Sequence, residues 1–172
     1  MSQKDISKLI KDNDKSLLKM YEAAIKRFER DLSFYYLGNP YTKVFDESVK
    51  KVYIEDDMIY AKNQKQLDKW YKDECIKVFN ERIDECLKLF DDIPMFSLKI
   101  RSMKTRWGVN NVTRRIITLN SELLKKAPTL IDYVIIHELC HFYEANHSSR
   151  FWKQVELRYP KYKEARKRMK VE

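Results

Sequence analysis

Three histidines are the only ones in the chain, and all fall within eleven consecutive positions, His137, His141 and His147. They are set in the string His137-Glu138-Leu139-Cys140-His141, followed by five residues and then His147. On a helix, residues four apart share a face, with Cβ atoms about 5–6 Å apart. Two imidazoles so placed can reach one ion at the roughly 2.0–2.1 Å typical of zinc–nitrogen bonds. Glu138 then flanks the pair, where its carboxylate can take a proton from an activated water without occupying the coordination site. Three neutral imidazoles leave such an ion its full charge and one open position. It can then polarise a carbonyl or phosphoryl oxygen.

His147 cannot ride the same helix as the other two. Six further helical residues would carry it about 9 Å along the axis and about 240° around it. The helix must therefore end and the chain turn back, with Asn146 the local residue best able to adopt a left-handed conformation. The spacing equals that of the metzincins, but their turn glycine is replaced by Glu144, which argues against that group. Glu156, on the following helix, is the reserve third ligand, because some zincins use a downstream glutamate. Arg101, Arg106, Tyr133, Tyr143 and Tyr159 are candidates for stabilising an oxyanion.

The elements around this string follow from periodicity and punctuation. A helix over about 15–35 is predicted from Leu17, Tyr21, Ala24, Ile25, Phe28 and Leu32, broken at Leu37-Gly38-Asn39-Pro40. Short strands follow at Tyr41–Phe45 and in a Lys51–Ile54/Met58–Ala61 hairpin, then a long amphipathic helix over about 66–90. Strands are expected at Ser97–Arg101, Arg106–Val109 and Arg115–Leu119, with Asn120 capping a short helix. Thr129 opens the motif helix as a cap, with Asp132 as its capping-box partner. The β-branched run Val134-Ile135-Ile136 is tolerable in that helix only if it is buried against the sheet. Ser148 or Ser149 caps a further helix through Arg158, and Pro160 starts a last, basic one.

At 172 residues, with 44% apolar and 35% charged residues, the chain suits one globular domain. Its expected parts are an N-terminal helical segment over 1–36, a hairpin and long helix over 37–94, and the catalytic part over 95–172. No apolar stretch is long enough to span a bilayer and the N-terminus lacks a secretory signal, which points to a cytoplasmic protein. Cys75 and Cys86 would share a helix face roughly 16 Å apart, beyond disulfide reach, so the three cysteines read as reduced and buried. The net charge of +9 allows a polyanionic partner such as nucleic acid. Even so, the basic run Lys161–Lys170 interleaves at helical spacing and reads first as a solvated face.

Beyond these features the sequence resembles the YgjP-like metallohydrolases, small relatives of the SprT and WLM zinc peptidases. The likeness rests on Met103-Lys104-Thr105-Arg106-Trp107-Gly108, Ile117–Asn120, Ile131–His141, Asn146-His147-Ser148 and Phe151-Trp152, with Pro160 and Tyr162 closing it. It implies an α+β, minimal zincin fold: a small antiparallel sheet packed on the motif helix, with extra N-terminal and C-terminal helices. It places His147 as the third ligand of a Zn2+ ion. Two departures border the expected cleft. Val109-Asn110-Asn111-Val112-Thr113 replaces a Ser-Cys stretch and glycine turn, and a helix replaces the usual N-terminal strands. The expected activity is a metallopeptidase acting on peptide or protein, held along the strand of Trp107 or along Ile116–Leu119. The alternatives are a nucleotide phosphoanhydride hydrolase and a DNA-associated protease or binding module.

Overall fold

The computed structural model describes residues 13–25 and 33–171. Residues 13–25 form helix α1, whose apolar residues Leu17, Leu18, Met20, Tyr21 and Ile25 are all exposed. The helix predicted to run to residue 35 does not do so. Ser33–Tyr36 is strand β1, while Phe28 and Leu32 lie outside the described residues. The reason is alternation: Phe34 and Tyr36 point inward and Ser33 and Tyr35 outward, the two-residue period of a half-buried strand.

β1 returns through a two-residue turn into β2 (Asn39–Phe45). Leu37 and Gly38 both have positive φ, 50° and 89°, as a tight hairpin turn of the favoured hand requires. Leucine is costly in that region. It is held there by its N–H, which donates to the Leu124 carbonyl at 2.8 Å, and by packing on the main core. β3 (Tyr53–Glu55) and β4 (Met58–Ala61) form the expected hairpin, and β4 pairs parallel to β2, giving a sheet ordered β1-β2-β4-β3. Ile59 and Ala61 of this sheet pack on Leu67 of helix α2 (Gln64–Leu87). α2 starts two residues earlier than predicted because the Asn63 side chain caps it, accepting from the Gln66 N–H at 3.0 Å.

The second sheet positions the site. It comprises β5 (Ser97–Arg101), β6 (Gly108–Asn111) and β7 (Ile116–Asn120), ordered β5-β7-β6. The small sheet was expected to be antiparallel. That holds for β6–β7, whereas β5 and β7 run parallel. β7 takes the centre because Ile117 through Asn120 are buried without alternation, and only a strand covered on both faces satisfies that pattern. β6 is therefore the edge.

Asn120 caps the short 3-10 helix Ser121–Lys125 by accepting from the Glu122 N–H. It does more: Oδ1 also accepts from the Met103 N–H, and Nδ2 donates to the carbonyls of Met103 and Arg106. One buried amide thus pins the loop leading into β6.

Helix α3 (Pro128–Cys140) carries the motif and buries Val134, Ile135 and Ile136, as its β-branched run demanded. Its start differs from prediction. Pro128 occupies the first turn with Ala127 before it, and no side chain caps the helix. Proline is preorganised for that position and lacks the N–H a cap would satisfy, so Thr129 is not needed. Asp132 is engaged elsewhere. Arg82 of α2 donates Nε to its Oδ1 at 2.6 Å and Nη2 to its Oδ2, a bidentate clamp between the two long helices. α4 (Ser149–Arg158) and α5 (Tyr162–Val171) complete the chain, α5 starting two residues after Pro160. Cys75, Cys86 and Cys140 are buried, free thiols. No helix among the described residues is long and apolar enough to cross a membrane.

The clamp yields a test. Asp132→Ala leaves a partly buried guanidinium without its partner and should cost about 1–2 kcal/mol. Thermal unfolding should show a loss of roughly 2–8 °C, and an unchanged midpoint would contradict the role assigned to the pair.

Candidate metal centre

α3 ends at Cys140, and the chain leaves it through tight turns: Phe142 N–H to Leu139 O, then Tyr143 and Glu144 N–H to Cys140 O. The first two are i→i−3 bonds and the third i→i−4, and such tightened turns close a helix without a left-handed residue. Asn146 accordingly does not adopt positive φ, contrary to expectation, and its carbonyl accepts from the Ser148 N–H at 2.9 Å. Ser148 then caps α4, its hydroxyl accepting from the Phe151 N–H. His147 is the residue immediately before that cap, so the start of α4 fixes where its ring lies.

The three imidazoles converge. One ring nitrogen from each of His137, His141 and His147 lies within 4.8 Å of the others, and the Nε2 atoms of His137 and His147 are 3.0 Å apart. Nitrogens bound tetrahedrally at roughly 2.0–2.1 Å from one ion sit about 3.3–3.4 Å apart. One pair is near that spacing, and the donor set suits a divalent ion. Beneath them lies Phe151, fully buried, its ring centroid 4.5–4.9 Å from all three imidazole centroids. His141 Nδ1 faces the Glu144 carbonyl at 3.1 Å, a contact that fixes the ring and leaves Nε2 for a metal. His137 Nδ1 is buried with no hydrogen-bond partner among the described residues. Burial, then the neighbouring His141 and His147, hold His137 down to about 3, and burial lowers the other two rings as well. All three are thus neutral at pH 7, the form that ligates.

Glu138 is 5% exposed and seated against β6. A Cβ on Gly108 would lie 2.6 Å from Glu138 Oε1 and 2.7 Å from its Cγ, so only glycine leaves room for this carboxylate. Asn110 also engages this residue, its Nδ2 donating to the Glu138 main-chain carbonyl at 2.7 Å. Burial pushes the carboxyl up to about 8, with the Asn110 backbone N–H and the Arg106 charge pulling the other way.

These groups line a cavity of about 580 Å³, walled by β6, α3 and the last turns of α5. Trp107 Nε1 donates to the Met169 carbonyl at 3.2 Å, tying α5 to β6. Of the oxyanion candidates, Arg106 and Tyr133 line this cavity. Tyr143 instead stacks on Phe90, and Tyr159 donates to the Thr129 carbonyl. Arg101 lies on β5, across β7 from β6. Glu156 is exposed on α4 and outside the histidine cluster, and the Glu144 carboxylate pairs with Arg150 at 3.0 Å.

Sequence reasoning missed Gly108 and Asn110 as partners of Glu138, and Phe151 as the floor of the site. Trp107-Gly108 and Phe151-Trp152 stood in the resembling string, but no pattern signalled Asn110.

A histidine pair on a buried helix, a third histidine returned by a turn and a small mixed sheet with an edge strand beside them together define a zincin-type metallopeptidase. Comparison with known proteins agrees. The family model of the YgjP-like metallopeptidase domain matches residues 1–172, and the chain belongs to that family. It is similar to the metallopeptidase zymogen of Pyrococcus abyssi abylysin at 25% identity and a TM-score of 0.51, over 54% of this chain and 92% of that one. The metallopeptidase zymogen of Methanocaldococcus jannaschii jannalysin matches at 22% identity and a TM-score of 0.42, over 45% of this chain and 78% of that one. No curated protein matches the sequence. A metal ion is therefore part of this family's chemistry, and the histidine cluster is where this chain could hold it.

Gly108→Ala should displace the Glu138 carboxylate without unfolding the protein. Peptide turnover should fall about a hundredfold, with metal content and circular dichroism unchanged. Full activity would show that Glu138 tolerates displacement.

Proposed function

We propose that this protein is a zinc metallopeptidase in which His137, His141 and His147 hold the ion and Glu138 is the general base. One observation carries the reading: a buried carboxylate, given room by Gly108 on a residue whose main-chain carbonyl Asn110 holds, shares a cavity with three converging neutral imidazoles. A zinc ion bound there supplies Lewis acidity toward a water and the scissile carbonyl. Glu138, whose raised carboxyl the charge of a bound ion would draw back to its ionised form, takes the proton from the attacking water and passes it to the departing amine. Asn110 and Gly108 keep that carboxylate in one position through both transfers. Phe151 closes the site from below.

The edge strand β6 lines the same cavity and offers an extended peptide a partner for strand addition. The other strand considered, β7, is the centre of its sheet and has no free edge. Of the oxyanion candidates, Arg106 and Tyr133 are the two placed to act, since they line the cleft.

Glu138→Gln in zinc-loaded protein should lower cleavage of an unstructured polypeptide about 10²–10⁴-fold while retaining the metal. His141→Ala should lose both metal and activity. Cleavage at the native rate by Glu138→Gln would remove that residue from the mechanism.

A further inference from the structure

The cleft is unusually rich in cations for one expected to bind a neutral backbone. Glu138 is the only carboxylate among its described lining residues, whereas Arg106, Arg166 and Lys170 all face it. The first comes from the loop entering β6. The other two lie four residues apart on α5, one helical turn, and so share a face. The basic face of α5 is solvent-exposed, and Arg166 and Lys170 on it also line one side of the cleft. α5 is fixed there by its buried Tyr162, Ala165 and Met169 and by the Trp107 bond to the Met169 carbonyl.

Arg166 is the one of the three that lies over an aromatic ring. Its guanidinium lies 4.6 Å from the centroid of Trp152. Trp152 in turn stacks on Tyr162 at 5.4 Å and on His147 at 5.7 Å. A guanidinium stacked on an indole loses little freedom on binding and keeps its donor fork free. Arg166 also lines the smaller cavity on the other flank of His137 and His147. No carboxylate pairs with Arg106, Arg166 or Lys170 among the described residues.

Resting on the peptidase reading, we infer that the cleft selects peptides carrying a carboxylate near the scissile bond, bound by Arg166 with Lys170 and Arg106 adding to the field. A planar carboxylate matches the fork bidentately. It is supplied by an Asp or Glu side chain or by the peptide's own C-terminus. Three cations facing one buried carboxylate also disfavour Lys or Arg at the same subsite.

The test uses zinc-loaded protein and one peptide scaffold made with Glu, Gln or Lys at each position flanking the cleaved bond, each as free acid and as amide. The expected result is a preference of at least tenfold in kcat/KM for a carboxylate-bearing member, expressed mainly in KM. Loss of the preference on amidation assigns the C-terminus as its source, and loss on Glu→Gln assigns the side chain. Arg166→Ala should bring the ratio of acidic to neutral peptide close to one, and Arg166→Glu should shift it toward the Lys peptide. Metal content measured alongside reports any disturbance of His147 through Trp152.

Calorimetric binding of the same peptides to zinc-loaded Glu138→Gln reads the preference without turnover. Equal binding of Glu, Gln and Lys peptides overturns the inference, as does a preference that survives both Arg166→Ala and Lys170→Ala. If acidic peptides bind preferentially but none is cleaved by the native protein, the peptidase reading fails and the carboxylate subsite stands.

Discussion

Convergence of three imidazoles on one point is a demand that no single helix can meet, and much of the fold exists to meet it. Two imidazoles come from one face of α3. The third requires that helix to stop at once and the next to start immediately after His147. The i→i−3 bonds after Cys140 do the first, and Ser148 does the second. Phe151, placed by that cap three residues on, then fills the space beneath all three rings. A flexible connection would leave His147 to find its position at an entropic cost of about 1–2 kcal/mol per residue ordered. Here the ordering is done by folding.

Glu138 poses the opposite problem, because it must sit deep beside the imidazoles without joining them. Its depth is set by what is missing at Gly108, and its direction by Asn110. The chain has only two glycines. One makes the turn between β1 and β2, docked against Ala127 just before α3. The other makes room for the carboxylate. Both therefore act on the motif helix, one at its start and one in its last turn.

The grouping of the histidines was legible in sequence because spacing on a helix is a local property. His137, Glu138 and His141 needed nothing beyond 3.6 residues per turn. The burial of Val134-Ile135-Ile136 followed from their poor helix propensity. Elements with local signals also came through, including the Met58–Ala61 hairpin, Ser97–Arg101 and the caps at Asn120 and Ser148. What failed depended on distant partners. β1 looked like the continuation of a helix because its strand partner lies beyond the turn. Asp132 looked like a cap because Arg82, fifty residues away, is invisible to a local window. The parallel β5–β7 pairing and the cleft-facing side of α5 are likewise set by tertiary packing. Arg166 is exposed, as the helical interleaving of the basic run implies, but its place over Trp152 and beside the cavity has no local signal.

The most direct measurement of the central claim is X-ray absorption at the zinc edge of the protein loaded with one equivalent of zinc. The account predicts a first shell of three imidazole nitrogens at about 2.0–2.1 Å and one further light atom, with imidazole scattering reduced in His147→Ala. A shell containing sulfur from a cysteine would contradict it. So would one in which His147→Ala leaves the imidazole count unchanged.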